Sequence, residues 1–220
     1  MPGYQVREIE QPIGGHRYRL RLLSDTQQFA DPDGHGERAG VSPAQWSLFG
    51  QLWPAGRLLA QAMERFDIAG KRILELGCGI GLASLVLQRR GAEIVATDSH
   101  PLAEVFLAYN AALNALPAVH YRQVNWELPL PALGRFDAII ASDVLYERGQ
   151  AELVAAMVER HALPDAEVLV TDPGRGNSSR FGRLLEAQHF TMASEPCPMD
   201  DNDMPPHRGR LLHFRREARA

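Results

Sequence analysis

The stretch Arg72-Ile73-Leu74-Glu75-Leu76-Gly77-Cys78-Gly79-Ile80-Gly81-Leu82 decides the fold. Arg72 to Leu76 is short and apolar around a single carboxylate, the composition of a strand buried on both faces. Three glycines at alternate positions end it, and from Leu82 to Arg90 apolar residues recur at helical spacing until Gly91 stops the helix. Strand, glycine turn and helix in that order begin a parallel α/β unit.

Downstream the alternation continues. Glu93–Asp98 reads as a strand, Pro101–Asn114 as a helix, His120–Trp126 and Phe136–Ser142 as strands, Ala151–His161 as a helix, Glu167–Thr171 as a strand and Ser178–Gln188 as a helix. Phe190–Ser194 and Arg210–Phe214 close the chain with no helix between them, so they form an antiparallel hairpin at one edge of the sheet. The tail from Arg215 to Ala220 is expected to fray. Upstream, Ser42–Phe66 carries a helical pattern in which Pro54 marks a start or a kink. Residues 24–40 are polar and punctuated by Asp31-Pro32-Asp33-Gly34, and Tyr18–Leu22 alternates after the Gly14-Gly15 turn as a small β element. The expected fold is α/β: a doubly wound, mostly parallel, seven-stranded Rossmann-like sheet over 46–220, with residues 1–45 as a small N-terminal β/helical extension.

The totals agree. The chain has 220 residues, 45% hydrophobic and 23% charged, which at about 150 residues per domain is one domain and an appendage. A net charge of −4 argues against a nucleic-acid coat or an anionic-membrane binder, whose affinity rests on clustered cations. Two cysteines, Cys78 and Cys197, make neither a disulfide framework nor a zinc site, and point to a reducing cytoplasm. The charged N-terminus lacks the apolar core of a signal peptide, and no stretch is long and apolar enough for a membrane span.

The glycine turn lies at the carboxyl ends of the sheet, where open α/β sheets bind ligands. Its spacing, Gly77-x-Gly79-x-Gly81, brings the third glycine one residue earlier than the dinucleotide fingerprint. Glu75 would repel a pyrophosphate but attract an ammonium group. Asp98, at the end of the next strand, can accept hydrogen bonds from both hydroxyls of a ribose. An amine at one end, a ribose in the middle and no phosphate describe S-adenosyl-L-methionine, with S-adenosyl-L-homocysteine as its product. Cys78, inside the turn, reads as a small buried filler, and His100, near Asp98, as a surface loop residue in preference to a contact with the cofactor's ribose. The eight histidines show no metal-ligand spacing, no Gly-x-Ser-x-Gly elbow is present, and Met199–Asp203 reads as a solvated hairpin tip.

From about Trp53 to Arg175 the chain resembles the seven-β-strand (class I) S-adenosylmethionine-dependent methyltransferases. Ser142-Asp143-Val144-Leu145-Tyr146 carries the Asp-x-x-Tyr of their protein-lysine branch, and Leu52-Trp53-Pro54-Ala55 its tryptophan segment. Asn125-Trp126 stands where the branch carries aspartate-tryptophan, and Asp172-Pro173-Gly174-Arg175 is similar to bacterial members acting on the electron-transfer flavoprotein β-subunit. The resemblance implies that Trp126 packs on adenine and Asn125 bonds its amino group. It implies further that Ser99 and Ser142 line the cofactor pocket and Trp53 closes over the methionine end. Asp143 would grip the incoming ammonium and Tyr146 would wall it. The implied acceptor is a lysine of a protein partner, with a nicotinamide-like or other small-molecule amine as the alternative, and the chain is expected to act as a monomer. Nucleic-acid methylation lacks the Asn-Pro-Pro-Tyr signature that would hold a flipped base.

Overall fold

The computed structural model describes residues 4–25, 31, 34–38, 46–126, 133–174, 176–196 and 209–216. A hairpin comes first, β1 (Val6–Ile13) and β2 (His16–Leu23), then a short α1 (His35–Arg38) and a single 3-10 turn over Leu48–Gly50. There follow α2 (Pro54–Met63), β3 (Arg72–Leu76), α3 (Leu82–Arg89), β4 (Glu93–Asp98), α4 (Ala103–Leu113) and β5 (His120–Gln123). The chain ends with β6 (Phe136–Ser142), α5 (Gln150–His161), β7 (Ala162–Asp172), α6 (Ser178–Ala187), β8 (Thr191–Pro196) and β9 (Arg210–Arg215).

The main sheet runs β5-β4-β3-β6-β7-β9-β8. Strands β3 to β7 pair in parallel, while β9 lies antiparallel to both β7 and β8, as expected for the closing hairpin. The chain works outward from β3 to β5 and then returns to β3's other side as β6. That reversal opens a crevice at the carboxyl ends of β3, β4 and β6. Successive residues point to opposite faces: Ile73, Ala138 and Ile140 join the core beneath α2, α3 and α4, while Leu74, Leu76, Ile139 and Ala141 join the core beneath α5 and α6. Both faces are covered, which is why these strands read as continuous apolar runs.

Three boundaries differ from the sequence pattern. Helix α2 starts at Pro54, because proline restricts Trp53 to extended backbone (φ −74°, ψ 146°), so residues 46–53 of the helical-looking stretch do not extend it, and the part before residue 46 lies outside the described residues. Strand β5 stops at Gln123, leaving Val124–Trp126 as connection. Strand β7 begins at Ala162, directly after α5, and its pairing with β6 shifts register between Phe136 and Ala138. Pro164-Asp165 there hides the alternation that would have revealed it.

The hairpin turns at Gly14-Gly15, both at positive φ (54° and 80°), as a two-residue turn requires. It docks on α4 through two asparagines one helical turn apart. The Asn114 amide accepts from the Arg19 N–H (2.9 Å) and donates to the Arg19 carbonyl (2.7 Å). Asn110 accepts from the Arg21 N–H (2.7 Å) and donates to the carbonyls of Arg21 (3.3 Å) and Ile80 (3.0 Å). These amides complete the open edge of β2 as a neighbouring strand would, and Asn110 ties that edge to the glycine turn.

At the opposite end of the sheet Glu167 accepts from Lys71 (2.8 Å), His213 (2.7 Å) and Arg215 (3.1 Å). Burial pushes its carboxyl up, but Lys71, His213 and Arg215 outweigh that and hold it at about 2. A carboxyl held below its unfolded value contributes stability that is complete above pH ~4.5 and disappears as pH falls toward 2. The melting-temperature gap between wild type and Glu167→Gln should therefore be wide at pH 6 and close by pH 2. A gap independent of pH over that interval would show that the cluster does not act through ionised Glu167.

Candidate functional site

The turn after β3 holds Gly77, Gly79 and Gly81 at φ of 66°, 53° and 83°, a region that L side chains rarely adopt. At Gly77 a Cβ would stand 3.1 Å from a Val144 methyl, and at Gly79 2.8 Å from the Phe49 carbonyl oxygen. Glycine at these two places keeps the floor of a cleft open.

That cleft has a cavity volume of about 140 Å³ and opens to solvent. Glu75, Gly77, Cys78 and Gly79 enter it from β3 and its turn, Asp98 and Ser99 from the end of β4, and Ser142, Asp143 and Tyr146 from the end of β6. Trp53 and Trp126 close its sides. Of the residues expected at the site, Gly81 and Asn125 do not line it. Gly81 starts α3 and packs against Leu107 of α4, where a Cβ would collide. Asn125 is exposed beside Trp126, because β5 has already ended and the chain there turns outward.

Glu75 is 2% exposed and accepts a hydrogen bond from the Ser84 hydroxyl of α3. Burial raises its carboxyl to about 7, the Asp98 charge adds to this, and Ser84 opposes it. Asp98 is also buried, and desolvation raises its pKa. One of its oxygens accepts from the Gly79 N–H (2.9 Å), the other from the His100 N–H (2.8 Å). A carboxylate has about four acceptor positions, so Asp98 keeps capacity for a donor from a ligand. The Thr97 hydroxyl, bonded to the Glu75 carbonyl (2.7 Å), locks the two strands in register beneath.

Burial and the charges of Asp98 and Glu75 push the Cys78 thiol well above its ordinary pKa, so it is a packing residue and not a nucleophile. The Trp126 indole is half-buried against Gly77, and its N–H meets no acceptor among the described residues. The Trp53 indole N–H donates to the Leu48 carbonyl (3.0 Å), which fixes the ring at the cleft wall.

In the same cleft, Asp143 takes φ +50°, a left-handed conformation that aspartate tolerates better than most residues. Its N–H donates to the Thr171 carbonyl (2.8 Å), and Asn177 donates to the Leu145 carbonyl (2.7 Å), so the turn from Asp143 to Tyr146 is held from β7 and α6. Burial raises the Tyr146 hydroxyl's pKa, with a Gln150 hydrogen bond opposing, so the phenol stays protonated at neutral pH. Glu147 is exposed.

Two more residues belong to the site: Phe49, which carries no sequence signal, and His100, whose place near Asp98 allows a ribose contact as well as a surface loop. His100 is buried, not on the surface: it is 2% exposed, lines the cleft and stacks on Phe49 at 3.9 Å between ring centres and 12° between planes. Its Nδ1 accepts from the Leu102 N–H (3.2 Å). Phe49, in the 3-10 turn, lines the same cleft. Their stack has no local signal, because the two are joined only by the fold. Among the described residues no three metal-ligating side chains converge, and no helix is long and apolar enough to cross a membrane.

The chain matches the lysine methyltransferase family over residues 43–188. It is 30% identical over 157 residues to an electron transfer flavoprotein beta subunit lysine methyltransferase of Xenopus laevis, covering 68% of this chain and 60% of the relative. It is 31% identical over 129 residues to a protein N-lysine methyltransferase of Danio rerio, covering 54% of this chain and 58% of the relative. The chain thus spans somewhat over half the length of these curated relatives. Among solved structures, it is similar in fold to the Thermus thermophilus 16S rRNA N2 G1207 methyltransferase in complex with AdoMet and guanosine. The TM-score there is 0.65 at 19% identity, covering 97% of this chain and 51% of the other. The ribosomal protein L11 methylase of Lactobacillus delbrueckii subsp. bulgaricus gives 0.57 at 19% identity, over 74% and 79%.

Proposed function

The chain belongs to the lysine methyltransferase family, and from that premise we propose that it transfers a methyl group from S-adenosylmethionine to the side-chain amine of a lysine in a partner protein. One observation carries the reading. A single cleft is lined by Glu75 and Asp98 and by Asp143 and Tyr146 together.

The first pair suits the cofactor. Glu75 needs a positive partner to be ionised where it is buried, and an amino-acid ammonium is such a partner. Asp98 keeps acceptor capacity for ribose hydroxyls, Trp126 offers a flat apolar face for a base, and the cradle at Gly77 and Gly79 admits a ligand against the backbone. When bound, S-adenosylmethionine supplies a methyl on a sulfonium, whose departure as a thioether needs no acid. Ser99 and Ser142 offer further polar contacts in the same cleft, and Trp53 its covering ring.

The second pair suits the acceptor. A lysine amine has a pKa near 10.4, so about one in a thousand is neutral at pH 7 and reactive. The enzyme must collect the ammonium form, align it and let its proton leave. Asp143 attracts and orients the ammonium and relays its proton to water. Burial among the walls of the cleft favours the neutral amine once the proton is gone. The Tyr146 ring bounds the channel and attracts the cation weakly through its face. Alignment is the main contribution asked of the protein, since positioning alone can lower such barriers by several kcal/mol.

Both named lysine methyltransferase relatives support a protein acceptor over a metabolite, and the net charge of −4 supports it over nucleic acid. The buried free thiol of Cys78 suits a reducing cytoplasm. Incubating the protein and methyl-labelled S-adenosylmethionine with lysate from cells lacking it should label one or a few protein bands on lysine. Label confined to small molecules or to nucleic acid would contradict a protein-lysine acceptor.

A further inference from the structure

Beyond the residues a nucleoside-sulfonium site requires, four groups form a closed circuit around its ribose end. The Asp98 carboxylate accepts from the backbone N–H groups of Gly79 and His100 (2.9 and 2.8 Å). The His100 ring lies flat on Phe49, 3.9 Å away. The Phe49 carbonyl oxygen in turn sits over Gly79, so close that a Cβ there would approach it to 2.8 Å. The circuit is braced from outside. The Tyr121 hydroxyl donates to the carbonyls of Asp98 (3.2 Å) and His100 (3.4 Å), and Phe106 meets Phe49 edge-on at 5.2 Å. The segment that brings Phe49 here is not part of the sheet. It crosses from the hairpin, where Gly50 is packed against Leu23, to Trp53 at the start of α2.

We infer that His100 is a positioning residue: its stack on Phe49 latches the Leu48–Trp53 segment onto the glycine turn and so fixes the Asp98 carboxylate and the cleft wall for cofactor. This rests on the cofactor reading above. A segment already held in place does not have to be ordered when ligand binds, and that entropy is a cost taken from affinity when the latch is broken. The stack adjoins the Asp98 carboxylate through the His100 N–H (2.8 Å). Its loss therefore acts on cofactor affinity more than on turnover at saturating cofactor.

The test is calorimetric titration of S-adenosylmethionine into wild type, His100→Ala, Phe49→Ala, the double variant and His100→Phe. Hydrogen exchange of the Leu48–Trp53 amides is measured in parallel, without cofactor. Each alanine variant should weaken affinity about five- to tenfold, the scale of one aromatic contact. The double variant should be no weaker than either single, because both remove the same contact. His100→Phe, which keeps the stack, should return affinity to within about twofold of wild type, and exchange of the segment should quicken in the alanine variants only. Additive losses, or loss in His100→Phe equal to that in His100→Ala, would show that His100 acts on the ligand directly and overturn the latch. Unchanged affinity in His100→Ala and Phe49→Ala, whether or not their melting temperatures fall, overturns it also. A wild type that binds no S-adenosylmethionine overturns the cofactor reading and the latch with it, an outcome distinct from a wild type that binds while the variants bind equally well.

Discussion

Glu75→Gln should lose S-adenosylmethionine binding by about a hundredfold or more and, at pH 8, should melt at a higher temperature than wild type when no cofactor is present. Both effects come from one buried carboxyl. Glu75 is 2% exposed, and burial first, with the Asp98 charge second, raises its pKa from 4.5 to about 7 against the opposing Ser84 hydrogen bond. A carboxyl raised on folding contributes stability fully below its unfolded pKa and loses it as pH rises to the folded value. Above about pH 7 the unliganded protein carries a buried charge at a cost on the order of 3 kcal/mol. Glutamine keeps the shape and an acceptor for Ser84 without the charge, so removing that cost should raise the melting temperature by several degrees in a chain of this size. The same charge is what an ammonium would recognise, and losing a buried charge-assisted partner costs at least about two powers of ten in affinity. The sign of the linkage gives a second readout. Below pH 7 the ligand must displace a proton from Glu75, so wild-type affinity should fall toward acid, and titrations at pH 6 in buffers of differing ionisation heat should report proton release. Glu75→Gln binding that matches wild type would remove Glu75 from the site.

Asp143→Asn is the second large effect, with the opposite pattern: cofactor affinity within about twofold of wild type, and methyl transfer to the labelled lysate protein reduced by about a hundredfold. Asparagine tolerates the left-handed backbone (φ +50°) that Asp143 occupies and keeps its N–H to the Thr171 carbonyl. The loop should therefore hold its shape while the charge that collects the incoming ammonium is gone. A charge-assisted hydrogen bond is about twice as strong as a neutral one, and each 1.36 kcal/mol lost from the transition state is tenfold in rate. Loss of cofactor binding in this variant would make Asp143 a cofactor contact and not an acceptor contact, and full transfer would free it from any role.

What the sequence made legible was whatever is carried by local pattern. The β3 strand, its glycines and α3 were readable because burial on both faces, positive φ and helical period each leave a signature within a few residues. Asp98 followed as a position at a strand end, Asp143 and Tyr146 from the family resemblance that Asp-x-x-Tyr carries, and all three line the cleft. Illegible were the features made by contacts between residues distant in the chain. Phe49 and His100 meet only because the segment before α2 folds over the glycine turn, and His100 taken alone reads as loop. Asn110 reads as a poor helix residue until the edge of β2 is beside it. Asn125 is off the cleft wall for a related reason: its motif neighbour Trp126 lines the cleft, but β5 ends before Asn125, which is exposed. The start of β7 was hidden by a proline and an aspartate inside the irregular pairing with β6.

Two buried carboxylates, Glu75 on β3 and Asp98 on β4, would recognise a cationic, unphosphorylated nucleoside. Titration of S-adenosylmethionine into the wild-type protein at pH 8 tests that recognition most directly, with S-adenosylhomocysteine and NAD as competitors. One equivalent should bind, displaced by S-adenosylhomocysteine and indifferent to NAD. No binding heat, or displacement by the pyrophosphate-bearing competitor, would contradict it.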